Sequence, residues 1–583
     1  MADDFQVTGD VSGADFSLKI HRGEGMALLA MNWKAATPPD DFVGFAIEYK
    51  PPGGSAFKPV RNRICFPGKE IAVPPGAPAA QYPSTEAPIQ KFRWVHFPRE
   101  AGRDGRFTYR VTPMFMDAND VLHPGVAQEA KLTLARETYP GKVNIAFTRG
   151  FVSSQAFLDL FGGEDGFRKL VPPSADEGLE FDPQPPHPKA DEAYAWMGFE
   201  ARERIVDLLD TAIAEGASVS VVAYELNLPE LVERFERLGP KLRIIIDDSS
   251  TTKTVNGVKT TVSKGDAHSA ESKAAKRIKA AGGQVLRQHM TTLQHNKMII
   301  VDGPVTQRVV CGSTNFSWRG FYVQANNAVL LDGELIVRQQ LQAFEAYWAD
   351  NVSQFKASIG AQWRPIPIPG VDGQISMSPH SASHAAKEAI AADIGTAQSS
   401  VFYSLAFLYQ TPGVILDALA AATNDPAVFV YGISDKKTGI VVHQTDGNPV
   451  PVSAAALTKG VPEPFKSEAK GGSGVKMHHK FVVVDFDTPD ARVYTGSFNF
   501  SRAADLDNGE NLLCFRDRRI ATVYMVEALR IFDSYQFRVS SAKAKASGGR
   551  KSLRLPPRAP GEVPWWKSSY TVPIRIRDRK LFA

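Results

Sequence analysis

Hydrophobic and polar positions follow two different rhythms along the chain. Up to about residue 140, apolar residues fall in short runs rich in β-branched and aromatic side chains. GMALLAMNWKA, DFVGFAIEYK, FRWVHF, RFTYRVTPMF and AKLTLAR are divided by segments containing Gly, Pro and Asp. No helical period interrupts them. The pattern predicts an all-β sandwich over 1–140, with Trp33 and Tyr109 as core aromatics. Residues 141–190 read as a linker. The stretch 171–192, VPPSADEGLEFDPQPPHPKADE, is too rich in Pro and acid to sustain a helix or a strand.

From residue 191 the rhythm becomes strands alternating with helices. EAYAWMGFEARERIVDLLDTAIAEG has a helical period and SVSVVAYEL reads as a buried strand. PELVERFERL is a helix with Pro229 in its first turn, and KLRIIID is a strand. SAESKAAKRIKAAGG is a helix that stops at Gly282, and KMIIVD and RVVCGS are strands. The same order returns about 180 residues later as SASHAAKEAIAADIGTA, SSVFYSLAFL, GVILDALAAAT, AVFVYGIS, KFVVVD and RVYTGS. This is an internal duplication. It predicts two α/β lobes, 191–360 and 361–545, each a sheet covered by helices, followed by a basic, Pro-rich tail over 546–583. Lobes placed face to face share one pseudo-two-fold cleft. One chain then completes the site, and oligomerisation is not required for it.

Aligned, the copies share a polar constellation. The first reads LQHNKMIIVDG and then CGSTNFS; the second reads KMHHKFVVVDF and then TGSFNFS. Each gives His, Lys two residues on, and Asp five beyond that: His295, Lys297 and Asp302, then His478, Lys480 and Asp485. Each continues into Gly-Ser-x-Asn: Gly312, Ser313 and Asn315, then Gly496, Ser497 and Asn499. Residues i and i+2 of an extended strand face the same way, so each His and Lys look into one space. The Asp residues fall on the opposite face and read as supports for the backbone within the candidate catalytic set. The Ser and Asn side chains can donate hydrogen bonds to phosphate oxygens. Two lysines can neutralise the charge on a phosphodiester, one His can attack phosphorus, and the other can protonate the leaving alcohol and then activate water. Such a site needs no metal and no cofactor. His479 points away from the cleft on this pattern.

The doubled His-x-Lys-(x)4-Asp with trailing Gly-Ser-x-Asn resembles the signature of the phospholipase D superfamily, over roughly residues 190 to 540. The β-rich start resembles a fibronectin type III or immunoglobulin-like module. The superfamily resemblance implies a phosphohistidine intermediate, metal independence, and phospholipid or nucleic-acid substrates. It also implies a His-orienting Glu or Asp beyond Gly-Ser-x-Asn: Glu510 stands there in the second copy, whereas the first departs from the pattern with Asn326 at the same spacing. If each orients the histidine of its own lobe, the carboxylate keeps His478 protonated as general acid and leaves His295 as the neutral nucleophile.

Composition narrows the rest. Hydrophobic residues make up 43% and charged residues 22%, which fits a folded soluble protein rather than a disordered one. The net charge of +4 steers a polyanion only weakly. Three scattered cysteines give neither a disulfide framework nor a zinc site. The start MADDFQVTGD has no signal-peptide pattern and no run is long enough to span a bilayer, so a cytoplasmic protein is expected, with signal-independent export left open. Lysines 253, 259, 264, 273, 276 and 279 read as a solvated face in preference to a polyanion track. The glycine-rich KSEAKGGSGVK before His478 reads as an entrance loop. Trp565 and Trp566 read as pins for the tail, in preference to a peripheral membrane contact or a base-stacking platform. Three functions follow in order: a phospholipase D-type hydrolase acting on a lipid head group, a nuclease using the same site, and a non-catalytic binding scaffold.

Overall fold

A computed structural model describes residues 5–74, 80–134, 137–149, 170–172, 174–182, 190–255, 258–406, 408, 412–436, 439–443, 449–452 and 477–583. The first unit is built from two antiparallel sheets. In one, Phe16–Gly23 pairs with Met26–Trp33 across a tight turn in which Gly25 takes φ +61°, a conformation open to glycine at little cost. In the other, Arg106–Met116 pairs with both Phe42–Lys50 and Gln128–Thr133. Phe16, Phe42, Phe45, Phe107 and Tyr109 are fully buried between the sheets, and Trp33 nearly so. The strand Phe16–Gly23 was not legible as a run, because polar Ser17 and Lys19 alternate with Phe16, Leu18 and Ile20.

Each lobe is a mixed sheet, and six strands recur in the same order. In the first lobe the order is Val143–Phe147, Asn327–Asp332, Gln307–Gly312, Met298–Asp302, Ser218–Ala223 and Leu242–Ile246, with Gln284–Arg287 beyond. In the second it is Gly373–Ser378, Glu510–Phe515, Arg492–Gly496, Lys480–Val484, Ser400–Leu405 and Phe429–Lys436, with three further edge strands. The central strands MIIVD and KFVVV are almost wholly buried, as expected for strands covered on both faces. The helices Ala190–Glu215 and Glu334–Trp348 cover the first sheet, and Arg518–Ala546 packs on the second.

Two boundaries differ from the sequence reading. Val143–Phe147, assigned to the linker, pairs with Asn327–Asp332 as a strand of the first lobe. Described residues of the Pro-rich stretch also pack on that lobe: the Trp318 indole donates to the Gly178 carbonyl at 2.8 Å and meets the Phe181 ring edge-on. The tail is folded as well. Trp565 Nε1 donates to the Phe42 carbonyl at 2.9 Å and Trp566 Nε1 to that of Pro39 at 3.1 Å, so both tryptophans are used inside the molecule. No helix among the described residues is long and apolar enough to cross a membrane.

Candidate active site

The two histidines enter the cleft just before their strands, and their backbones are held by the opposite lobe. Gln294 bridges to Gly509, with Gly509 N donating to the Leu293 carbonyl at 2.8 Å. Symmetrically, Met477 bridges to Ala325, and His478 N donates to the Ala325 carbonyl at 3.2 Å. These bridges place Glu510, which follows Gly509, against His295, and Asn326, which follows Ala325, against His478. His295 Nδ1 lies 2.8 and 2.9 Å from the Glu510 carboxylate oxygens. His478 Nδ1 donates to Asn326 Oδ1 at 2.7 Å and to the Ser313 carbonyl at 3.1 Å. With Nδ1 facing acceptors, each ring offers Nε2 to the cleft. The ring centroids stand 6.3 Å apart, room for one phosphorus between them. Lys297 and Lys480 are buried beside them, their ammonium groups donating to the carbonyls of His295 and His478 respectively.

The Gly-Ser-x-Asn turns build the supports. Gly312 and Gly496 sit at φ +130° and +134°, where a Cβ would fall 2.6 Å from the Asn327 carbonyl oxygen and 2.2 Å from that of Asn511. Only glycine fits both the angle and the space. The turn lets Ser497 Oγ donate to Glu510 Oε2 at 2.6 Å while accepting from Asn511 N at 2.9 Å. Ser313 Oγ likewise donates to Asn326 Oδ1 at 2.9 Å and accepts from Asn327 N at 3.0 Å.

A family described as cardiolipin synthase, PLD-like domain, matches this chain twice, over residues 202–348 and 390–532, one match to each lobe and each containing one complete motif. The chain belongs to the phospholipase D superfamily. Solved structures similar to it include a phosphatidylserine synthase from Haemophilus influenzae, at 12% identity over 60% of this chain and 92% of that one, with a TM-score of 0.39. A phospholipase D family member, Nuc, from Salmonella typhimurium shares 23% identity over 29% of this chain and 95% of its own, with a TM-score of 0.17. A polyphosphate kinase from Porphyromonas gingivalis shares 9% identity over 64% of this chain with a TM-score of 0.35; the chain spans about half of that kinase, 51%. No curated protein matches.

Within this phospholipase D-type cleft, four groups of expected site residues fall differently. The serines face the His-orienting residues, so their hydroxyls are engaged as positioning groups and are not directed at phosphate. The two aspartates diverge. Asp485 is buried and accepts from the backbone N–H groups of Gln398, Ser399 and Ser400 at 2.8 to 3.0 Å, whereas Asp302 is exposed at the far end of its strand. Neither reaches the cleft, because the four residues after each Lys carry the chain along the strand. The asparagines also differ: Asn315 Nδ2 donates to Glu225 at 3.0 Å, while Asn499 Oδ1 is buried with no hydrogen-bond partner among the described residues. Each orienting residue serves the other lobe's histidine, contrary to the within-lobe expectation. As expected, His479 faces away, its Nε2 3.2 Å from Glu527.

Burial lowers both catalytic-site imidazoles well below the usual value, and the two lysines push in the same direction. Burial likewise draws Lys297 far down, with Lys480 adding to it and Glu510 opposing. Burial pushes the Glu510 carboxyl up to about 8 against the pull of Lys297 and Lys480. Burial in the cleft therefore favours the neutral forms of His295, His478, Lys297 and Glu510.

Several neighbours were missed from sequence. The Tyr224 ring meets the His295 ring edge-on at 4.5 Å, and Lys297 lies over it at 4.7 Å. Lys264, read as part of a solvated face, is partly buried against the same ring at 3.4 Å, with Glu271 at 3.6 Å and Asp247 at 3.9 Å. Asp247 in turn accepts from Gln294 N at 2.7 Å and fixes the approach to His295. The available signal was the polar pair Tyr224-Glu225 directly after a buried apolar strand. Lys276 and Lys279 are exposed, as a solvated face requires, and Lys273 pairs with Glu180 at 2.9 Å. The side chains of Lys253 and Lys259, and all of the loop KSEAKGGSGVK before His478, lie outside the described residues.

Proposed function

We propose that the chain is a phosphodiesterase that cleaves a phospholipid head-group ester through a phosphohistidine on His295. The observation that carries this reading is the opposed pair of histidines, 6.3 Å apart between ring centroids, with a buried lysine beside each. Lys297 and Lys480 receive the non-bridging oxygens of the diester, and its negative charge restores the ammonium and imidazolium forms that burial disfavours. His295 Nε2 forms a bond to phosphorus as the bond from phosphorus to the leaving oxygen breaks. His478 Nε2 gives that oxygen its proton. Water then attacks phosphorus, its proton passes to His478, and the phosphorus–nitrogen bond breaks with its electron pair returning to His295.

The division of roles rests on the crossed pairs. A ring carrying phosphorus on Nε2 and hydrogen on Nδ1 is cationic and cannot shed that charge without losing its Nδ1 proton, so Glu510 serves best behind His295, where the cationic ring favours the ionised carboxylate that burial alone disfavours. The within-lobe argument, which gave the carboxylate to the general acid, is thereby reversed: a general acid must release its proton, and the neutral amide of Asn326 holds it less firmly. The name of the matched family favours a lipid substrate and adds a second acceptor, an alcohol in place of water.

The test uses vesicles of phosphatidylglycerol and phosphatidylcholine in EDTA, with head-group release followed for wild type, His295→Asn and His478→Asn. Release should fall at least about 10³-fold in both variants, the scale set by removing a nucleophile or a general acid. A bis(p-nitrophenyl) ester, whose leaving group needs little protonation, should give His478→Asn a burst of one nitrophenolate per chain and a stable adduct on His295. An adduct on His478 in the His295→Asn protein, or release of head groups undiminished by either substitution, would defeat the assignment.

A further inference from the structure

The first-lobe wall of the cleft holds a carboxylate where an anion-cleaving site would be expected to hold only donors. Glu225 Oε2 accepts from Asn315 Nδ2 at 3.0 Å and from Ser317 Oγ at 2.8 Å. Although burial acts to raise its pKa, Lys264, Ser317, Arg319 and Lys297 outweigh that and keep Glu225 below the usual carboxylate range. This is an anion cradle, two neutral donors backed by Lys264 and Arg319 with Lys297 beside them, and its occupant is the protein's own side chain. It adjoins the chemistry, because the preceding residue Tyr224 touches the His295 ring.

The second lobe builds nothing comparable from the described residues. Its equivalent strand Ser400–Leu405 runs into Ala406 at the place of Tyr224, and the sequence continues with Phe407. Its counterpart of Ser317, Ser501, is spent on capping a helix at Ala504 N, 3.0 Å away. Among the described residues, the two halves of the cleft are thus alike in their His and Lys, and only the first holds this cradle beside them.

We infer that Glu225 is a specificity-determining residue that closes this cradle to a second anionic group, so that the site takes an isolated phosphodiester with neutral or cationic neighbours and rejects polyanions such as nucleic acids and polyphosphates. A fixed negative charge discriminates by repulsion against the wrong ligand, which costs the right one little. The inference rests on the phosphodiesterase reading for its substrate class, but the cradle can be probed without turnover.

Binding of inorganic phosphate and pyrophosphate to the full-length protein would be measured by calorimetry in EDTA at one fixed salt concentration, for wild type, Glu225→Gln and Glu225→Asp. Wild type should bind pyrophosphate no more tightly than phosphate. Glu225→Gln should gain about tenfold in pyrophosphate affinity relative to phosphate, and Glu225→Asp, which keeps the charge, should retain the wild-type ratio. In parallel, kcat/KM would be compared for p-nitrophenyl diesters whose second arm is neutral or carries an extra phosphate; the same substitution should narrow that ratio about tenfold. A Glu225→Gln protein whose two ratios stay within twofold of wild type, or a wild type already favouring pyrophosphate, overturns the inference and leaves Glu225 a framework residue. If no diester is turned over but the binding ratio shifts as stated, the reaction assignment fails and the cradle stands.

Discussion

Glu510 is the residue on which the asymmetry of the site turns. It is fully buried, bonds His295 through both oxygens and takes a third hydrogen bond from Ser497. Its folded pKa of about 8 stands above the unfolded carboxyl value of 4.5. Between those pH values the folded chain holds a proton that the unfolded chain has lost. The contribution of this group to stability is therefore greatest below pH 4.5 and is lost as pH rises through 8. Glu510→Gln removes the titration but keeps an acceptor for His295 Nδ1. Denaturant melts from pH 5 to 9 should show wild type losing stability relative to Glu510→Gln as pH rises, with the difference levelling above pH 8. A difference that is flat, or that grows in wild type's favour with pH, would mean that the carboxyl is ionised throughout. At this scale the sequence was half legible. The doubled motif identifies His295, Lys297, His478 and Lys480, and the spacing beyond Gly-Ser-x-Asn identifies Asn326 and Glu510. Which histidine each orients depends on how two distant segments meet, and spacing within one lobe carries no information about that.

Strands bring the motif residues together, and the two turns after Gly312 and Gly496 decide where the orienting residues point. Gly496→Ala adds a methyl group 2.2 Å from the Asn511 carbonyl oxygen, on a backbone at φ +134°. The neighbour is backbone and cannot swing away, so strain and clash add. A loss of roughly 2–4 kcal/mol is expected, larger than an ordinary surface glycine change, and thermal denaturation would measure it. Activity should fall further than stability, because Ser497 and Glu510 shift with the turn; a variant that melts within a degree of wild type would show that the turn relaxes. Elements were legible where burial on both faces produced unbroken apolar runs, as in KMIIVD and KFVVVD. They were missed where that signal was absent. Val143–Phe147 precedes a stretch dominated by Pro and acid, and it joins its sheet through residues nearly two hundred positions away. The helix Arg518–Ala546 mixes buried and solvated faces along 29 residues, and the sequence reading passed over it.

Across the whole molecule, the tail ties the sandwich to the second lobe. Phe582 is fully buried against Phe402, Phe429 and Phe486, with ring centroids 5.7 to 6.0 Å apart. Its carbonyl meets His21 Nε2 of the sandwich at 2.6 Å, and Arg93, also of the sandwich, bonds Asp578 and Asp533 at 2.8 Å each. Gln6 Nε2 donates to His21 Nδ1 at 3.1 Å, so the neutral tautomer with hydrogen on Nε2 satisfies both partners. A second proton on Nδ1 would displace the Gln6 bond and charge a buried ring. Burial accordingly lowers His21 to about 3 from an unfolded value of 6.5. Between these values the unfolded chain holds a proton that the folded chain lacks. The contribution of neutral His21 at this contact is complete above pH 6.5 and is lost as pH falls toward 3, at up to about 1.4 kcal/mol per pH unit. His21→Gln cannot titrate and retains an amide able to reach the Phe582 carbonyl. Denaturant stability measured at pH 7, 6, 5 and 4 should fall less steeply in this variant, the two slopes differing by about one proton across the acid limb. Equal slopes would place the acid sensitivity in the other buried histidines and leave the contact between His21 and the tail indifferent to pH. A shallower slope, together with earlier proteolysis between sandwich and lobe in wild type at pH 4 to 5, would locate the first acid-induced opening at this contact.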